Sequence, residues 1–288
     1  MTIREYRTLF TAELSTLYDA GEAESFFLLL LQDRRQLSRA DLALQPGLQF
    51  SAEELQDWNN VLGQLRNEIP IQYILGKTQF YGAEFMVNSN VLIPRPETEE
   101  LVEWIVSNSS HQMGPVRILD IGTGSGCIAV SLARHIPAAE VFAIDVSDSA
   151  LEVAMQNAQR NGVNVNFIQR DILQTKTLEH QFDIIVSNPP YVRNLEKQEI
   201  RNNVLSNEPH LALFVDDNDP LVFYNKIAAL AQAHLKPGGR LYFEINQYMS
   251  DGMMQLLTEK GFQQVELRKD IYGNYRMSKA VIRSEAPQ

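Results

Sequence analysis

Apolar positions recur at three- and four-residue steps from the start of the chain, and Ile3, Tyr6, Phe10, Leu14 and Leu17 fall on one face of a helix. Residues 24–36 hold the unbroken run from Phe26 to Leu31, which predicts a helix apolar all round at the centre of a bundle. Pro46-Gly47 breaks the pattern. Beyond it Ser51, followed three residues later by Glu54, forms a capping box that opens a helix with Leu55, Trp58, Leu62 and Leu65 on its buried face. Residues 1–75 therefore read as a small helical domain.

The pattern then changes period. In residues 76–96, Gly76, Gly82 and Asn88 punctuate short aromatic and β-branched runs, which predicts a hairpin acting as a linker. Its end, Ile93-Pro94-Arg95-Pro96, is rigid and extended and leads into a helix carrying Leu101, Val102 and Ile105. From residue 115 short apolar strands alternate with helices. Strands are predicted at 116–120, 140–145, 164–169, 182–187 and 240–245, and helices at 125–135, 147–161 and 220–235, with a turn at Pro237-Gly238-Gly239. Residues 97–288 thus read as one α/β domain with a doubly wound, mostly parallel sheet and helices on both faces. Such sheets bind ligands beyond the carboxyl ends of their strands, where the strand order reverses.

Composition narrows the class. The chain has 288 residues, 44% of them apolar and 21% charged, enough for a packed core and too apolar for wholesale disorder. A single cysteine, Cys127, fits a reducing compartment, and Met1 to Leu14 mixes Arg and Glu with apolar residues unlike a signal peptide, so a cytoplasmic location is expected. The longest strongly apolar run is too short to span a bilayer, so no membrane partner is expected. The net charge of −11 argues against a long nucleic acid as the main partner, because phosphate binding draws its affinity from a basic surface. Residues 1–75 hold six Arg, no Lys and eleven acidic residues, so no local basic patch hides there. His111, His135, His180, His210 and His234 lack ligand spacing, and no metal is expected.

Two motifs sit where such a sheet puts its ligands. The first, Asp120-Ile121-Gly122-Thr123-Gly124-Ser125-Gly126, ends one strand and starts a helix, and its glycines let backbone approach a ligand closely. A dinucleotide fingerprint requires Gly or Ala three residues after Gly124, where this chain has Cys127. The G-x-G-x-G pattern behind an Asp instead resembles the first motif of class I S-adenosylmethionine methyltransferases, a Rossmann-like fold. Asp145, at the next strand end, is placed to accept from two ribose hydroxyls, although a carboxylate there also suits capping the following helix. Asp171 is placed to accept from an adenine amine with Ile172 against the ring, although Asp after a strand also serves turns.

The second motif, Asn188-Pro189-Pro190-Tyr191, follows an apolar strand. Asn-Pro-Pro can simply end a strand, but the residue types also suit one reaction. A conjugated NH2 is a poor nucleophile because its lone pair is delocalised, as in a peptide bond. The Asn188 side-chain oxygen and the Pro189 carbonyl can each accept one N–H, holding the nitrogen in a near-attack geometry, with Pro190 keeping the segment stiff. The Tyr191 ring can lie beside a sulfonium or the substrate side chain. Nothing in such a clamp titrates between about pH 6 and 9, so the chemical step is expected to be flat there. Adenine-N6 and glutamine-N5 methyltransferases share this tetrapeptide, so it fixes the reaction type and not the substrate.

Taken with Ile69-Pro70-Ile71-Gln72-Tyr73, Ile93-Pro94-Arg95-Pro96-Glu97-Thr98-Glu99 and Glu208-Pro209, the two motifs resemble those of the HemK-type peptide-chain release factor N5-glutamine methyltransferases over nearly the whole chain. The resemblance implies methylation of the glutamine in the Gly-Gly-Gln loop of class-1 release factors, with S-adenosyl-L-methionine as methyl donor and the N-terminal helical domain recognising the factor. It implies cofactor contacts at Gly122, Thr123, Gly124, Ser125, Gly126, Asp145, Asp171, Ile172 and Asn188, and substrate contacts from Asn188 to Tyr191. A monomer is expected. The alternatives are an adenine-N6 methyltransferase acting on DNA or RNA, and a non-enzymatic Rossmann-type binding module. The run from Phe214 to Pro220 departs from the family's glycine-rich loop, which leaves its geometry open, and Arg95 and Glu97 either shape the substrate mouth or are solvated turn charges. Glu244, at a strand end, reads as structural or marginal to the site, and Met253 and Met254 as core.

Overall fold

The computed structural model describes residues 1–109 and 114–283. His111, one of the histidines considered above, lies outside them. The chain divides into two units, Met1–Gly76 with Arg201–Asn207, and Lys77–Ile200 with the chain from Glu208 onward. Residues Arg201–Asn207, expected in the α/β domain, thus group with the helical unit. Within that unit Arg201 donates to Glu22 and Asn207 Nδ2 to the Glu68 carbonyl.

The helical unit holds α1 (Ile3–Leu14), α2 (Ala20–Arg35), α3 (Arg39–Leu44), α4 (Ala52–Arg66) and α5 (Ile71–Leu75). The capping box at Ser51 and Glu54 is formed, and Thr2 with Glu5 makes another at α1. Tyr6, Phe10, Phe27 and Trp58 make edge-to-face or tilted ring contacts in one core. Two expectations fail here. Helix α1 ends at Leu14, so Leu17 leaves the buried stripe and is 46% exposed. Helix α2 is not apolar-faced all round in its burial. It buries Ala23, Phe27, Leu30 and Leu31, while Leu29 is 48% exposed, because its core partners all lie on one side.

In the α/β unit, β1 (Lys77–Phe80) and β2 (Ala83–Met86) form a hairpin closed by Tyr81 and Gly82, both with positive φ. That pair of left-handed residues is the turn whose twist matches two antiparallel strands. Phe80 and Phe85 pack edge to face at 5.8 Å and belong to the same core as the next helices. The hairpin is therefore part of this unit and not a linker, because its aromatic residues need that core to leave water.

The chain continues through α6 (Pro96–Ser109), β3 (Val116–Ile121), α7 (Cys127–His135), β4 (Ala139–Asp145), α8 (Asp148–Arg160), β5 (Asn166–Gln169), β6 (Phe182–Ser187) and β7 (Val192–Arg193). It ends with α9 (Asn202–Asn207), α10 (His210–Leu213), β8 (Phe214–Val215), α11 (Val222–His234), β9 (Leu235–Glu244), α12 (Ser250–Glu259), β10 (Gln263–Lys269) and β11 (Tyr275–Val281). Seven strands form one sheet in the order β10-β11-β9-β6-β3-β4-β5. Neighbours from β9 to β5 are parallel, and β11 and β10 add an antiparallel edge. From β3 the chain first builds outward through β4 and β5, then returns to place β6 on the other side of β3. The strand order thus reverses between β3 and β6.

Apolar cores cover both sheet faces. The turn expected at Pro237-Gly238-Gly239 is present as a bulge inside β9, where Gly238 has a φ of 76°. A register irregularity, with Phe182 opposite Leu235 but Ile184 opposite Arg240, takes up the extra residues. Met253 is buried as expected, but Met254 is 37% exposed on the other side of α12. The open segment after Phe214 resolves into β8 paired with β7, followed by a turn in which Asn218 N–H donates to Asp216 Oδ1 at 2.8 Å.

Candidate active site

A cavity of about 270 Å³ opens beside the ends of β3, β4 and β6. Gly122, Thr123, Gly124 and Ser125 line it from β3, Asp145 from β4, Asp171 and Ile172 from beyond β5, and Asn188, Pro189 and Pro190 from β6. The two sequence motifs therefore meet across the strand-order reversal, because β3 and β6 are neighbours. Ser187 Oγ fixes the start of the second motif by donating to the Ile121 carbonyl at 2.6 Å.

The glycine loop is shaped by its own backbone. Gly122 N–H and Thr123 N–H donate to the Ile144 carbonyl at 2.8 and 3.0 Å, so the loop folds over the end of β4. Gly122 and Gly124 have φ of 74° and 55°, and a Cβ built on either would meet no atom within 4 Å. The space a side chain would take there is open to a ligand. Gly126 differs. It does not line the cavity, and a Cβ on it would stand 3.0 Å from the Ala154 Cβ, so its role is the close packing of α7 on α8. The fully buried Asn157 of α8 holds the arrangement from behind. It accepts from Met86 N–H at 2.6 Å and donates to the Met86 and Ser125 carbonyls at 3.0 and 2.9 Å.

Asp145 accepts from Gly124 N–H through Oδ2 at 2.8 Å and from Ser147 N–H through Oδ1 at 2.9 Å. It therefore orders both the glycine loop and the cap of α8. Each oxygen keeps a second lone pair, so two hydroxyl donors can still be accepted. Asp171 Oδ1 accepts from Leu173 N–H at 2.8 Å, a turn contact, while Ile172 is buried. Behind the loop, Asp120 is fully buried. Its Oδ2 accepts from Thr123 Oγ1 at 2.6 Å, and the Ala129 N–H also favours its ionised form. Burial pushes its carboxyl up to about 7, the Thr123 bond opposing. Burial pushes the thiol of Cys127, at the wall, up to about 12, which keeps it protonated.

Tyr191 departs from its expected place. It is absent from the cavity wall, and its hydroxyl donates to Glu244 Oε1 at 3.0 Å. Burial raises its phenol well above the usual range. Arg95 lines the cavity and makes a 2.5 Å ion pair with the buried Glu208, whose other oxygen accepts from Ile93 N–H. Glu97 is not in the wall. Glu244, expected to be structural or marginal to the site, is buried outside the cavity wall and accepts from Thr98, which lines the cavity and which the sequence does not mark as a site residue. Thr98 stands inside the Pro-Arg-Pro-Glu-Thr run, but nothing local to that run points at a partner about ninety residues on. No group of three or more His, Cys, Asp or Glu among the described residues is arranged to hold a metal.

Residues 98–212 match the family model for a methyltransferase small domain, and residues 6–76 match that for a PrmC N-terminal domain. The release factor glutamine methyltransferase of Flavobacterium psychrophilum is 56% identical over 285 residues, 98% of this chain and 100% of that protein. The protein of the same name from Bacteroides thetaiotaomicron is 42% identical over 265 residues, 92% of this chain and 94% of its own length. Among solved structures, a T. thermophilus 16S rRNA N2 G1207 methyltransferase in complex with AdoMet and guanosine is similar in fold, with TM-score 0.52 at 22% identity, covering 72% of this chain and 50% of that one.

Proposed function

This chain belongs to the release factor glutamine methyltransferase family, and we propose that it methylates the side-chain nitrogen of the glutamine in the Gly-Gly-Gln loop of class-1 release factors. The reading is carried by one observation: the glycine loop of β3 and the Asn188-Pro189-Pro190 segment of β6 face the same cavity from adjacent strands. The cavity residues fit S-adenosyl-L-methionine. Space is open at Gly122 and Gly124, Asp145 has lone pairs for two ribose hydroxyls, and Asp171 with Ile172 offers an acceptor and an apolar surface for a base. When bound, the cofactor supplies a methyl group on an electrophilic sulfonium.

The chain's own residues orient the acceptor. Asn188 Oδ1 and the Pro189 carbonyl each accept one N–H of the glutamine NH2, which turns the nitrogen lone pair toward the methyl group. The two prolines stiffen this segment, and Pro189 has no N–H to compete. The methylated nitrogen releases its extra proton to water, so no strong base is needed. Tyr191 serves from behind the wall, through Glu244. The helical unit, net acidic and without lysine in residues 1–75, is assigned to recognition of a protein and not of nucleic acid. No helix among the described residues is long and apolar enough to cross a membrane. A cytoplasmic monomer is part of the proposal.

The test is transfer of labelled methyl from S-adenosylmethionine in a cell extract. Label in the Gly-Gly-Gln peptide of a class-1 release factor supports the reading. Label in DNA or RNA would replace it with the adenine-N6 alternative, and bound cofactor without transfer would reduce the protein to a binding module.

A further inference from the structure

Behind the reacting segment lies a chain of polar groups, part of it buried, that runs from Asn188 away from the clamp. Asn188 Nδ2 donates to Thr98 Oγ1 at 3.3 Å, and Thr98 Oγ1 donates to Glu244 Oε2 at 2.6 Å. Glu244 Oε1 accepts from the Tyr191 hydroxyl at 3.0 Å. Thr98 and Glu244 are both almost wholly buried, at 2% and 1% exposed, so the bond between them is shielded from water.

Direction along this chain decides which end of the Asn188 carboxamide faces the cavity. An amide has a donor end and an acceptor end of nearly equal size, and nothing steric distinguishes them. Thr98 has one hydroxyl hydrogen. With that hydrogen committed to Glu244, Thr98 can only accept from Asn188. The NH2 end is therefore drawn back to Thr98, and Oδ1 is left for the substrate.

We infer that Thr98 and Glu244 are positioning residues that hold the Asn188 carboxamide with its oxygen toward the glutamine NH2. This rests on the glutamine reading above, and goes beyond it by assigning the polarity of the clamp to two residues that never touch the reacting atoms. Without the relay the amide can turn over and present its NH2 to the substrate NH2, two donors face to face. Tyr191 and Arg276 support the arrangement, Tyr191 by its hydrogen bond and Arg276 by the positive charge it places near the buried carboxylate. Burial raises the Glu244 carboxyl, and the Thr98 and Tyr191 hydroxyls oppose that rise.

The experiment measures single-turnover methylation of intact class-1 release factor at saturating S-adenosylmethionine, with cofactor Kd and melting temperature for each protein. Thr98→Val keeps the shape and removes the hydroxyl, so its rate is expected to fall on the order of tenfold to a hundredfold, with cofactor Kd within about twofold of wild type. Thr98→Ser restores the hydroxyl and is expected to recover the rate to within about threefold. Glu244→Met keeps much of the length but removes the acceptor that commits the Thr98 hydrogen, so it should lose rate as Thr98→Val does. The double variant should be no slower than the worse single variant, since both break one path. A Thr98→Val rate near wild type, a Thr98→Ser rate as low as Thr98→Val, or fully additive losses would each overturn the relay. If Thr98→Val proves unfolded, Glu244→Met decides alone, and a folded Glu244→Met with a rate near wild type overturns the relay. Absence of transfer by the wild-type enzyme would instead remove the glutamine reading, and the relay with it.

Discussion

Asp145 faces the cavity before and throughout any transfer, whereas Asn188 acts where the amide nitrogen reacts, so substitutions at the two should separate binding from chemistry. Asp145→Ala should weaken cofactor binding by about 1.5–3 kcal/mol, the range of hydrogen bonds to a charged group, and slow the bound complex less. Calorimetry finding wild-type affinity would refute that role. Asn188→Ala should leave cofactor affinity closer to wild type and cost about 3 kcal/mol in the transfer step, on the order of a hundredfold, by analogy with losing one oxyanion-hole donor. A near-normal single-turnover rate would remove the clamp. Asp120 lies outside the clamp, and burial pushes its carboxyl up to about 7. A folded-state pKa above the unfolded one means the folded protein holds the proton longer. Its stability contribution is complete below about pH 4 and is lost as pH rises through about 7. Asp120→Asn carries no such proton. Wild type should therefore lose melting temperature relative to Asp120→Asn between pH 5 and 8, and parallel curves would count against the assignment.

Elements place these residues through contacts at their ends. Helix α7 is preceded by its N-cap Gly126, whose φ of 79° and 3.0 Å clearance from Ala154 leave no room for a side chain. Gly126→Ala should lower stability by about 1 kcal/mol or more, from left-handed strain together with overpacking against α8. Gly124→Ala shares the strain without the clash, since a Cβ there meets nothing within 4 Å. Melting curves should thus rank Gly126→Ala as the less stable, and cofactor affinity should rank Gly124→Ala as the weaker binder. The opposite order in both would reverse the division between a packing glycine and a cavity glycine. The hairpin belongs to the same level. Its two phenylalanines were legible as strand residues, but that they join the core of the α/β unit was not, because an alternating run does not say which core it will meet.

At the scale of the molecule, each unit has its own apolar core, and every cavity residue lies in the α/β unit. Deleting residues 1–76 should therefore leave S-adenosylmethionine affinity within about threefold while reducing methylation of intact release factor by on the order of a hundredfold, as expected when remote binding energy is lost. The truncated chain also strips Arg201–Asn207 of the helices it packs with, so circular dichroism must first show it folded. Full activity of a folded truncation on the intact factor would assign the helical unit another purpose.

The alternation of strands and helices after residue 115, the capping box at Ser51 and the two motifs were all determined by the sequence, because each depends on neighbours a few residues apart. Period and turn chemistry are local properties, and local properties can be read from a string. What depended on distant parts of the chain could not be read. Leu29 stays exposed because the core lies on one side of α2, and the turn at Pro237-Gly238-Gly239 stays inside β9 because pairing with β6 resumes at Arg240. Tyr191 turns from the cavity to Glu244, and Thr98 meets Asn188, only when β6, β9 and α6 come together. A hydrogen bond between residues far apart in sequence has no local signature, since its geometry is set by the packing of the elements that carry them.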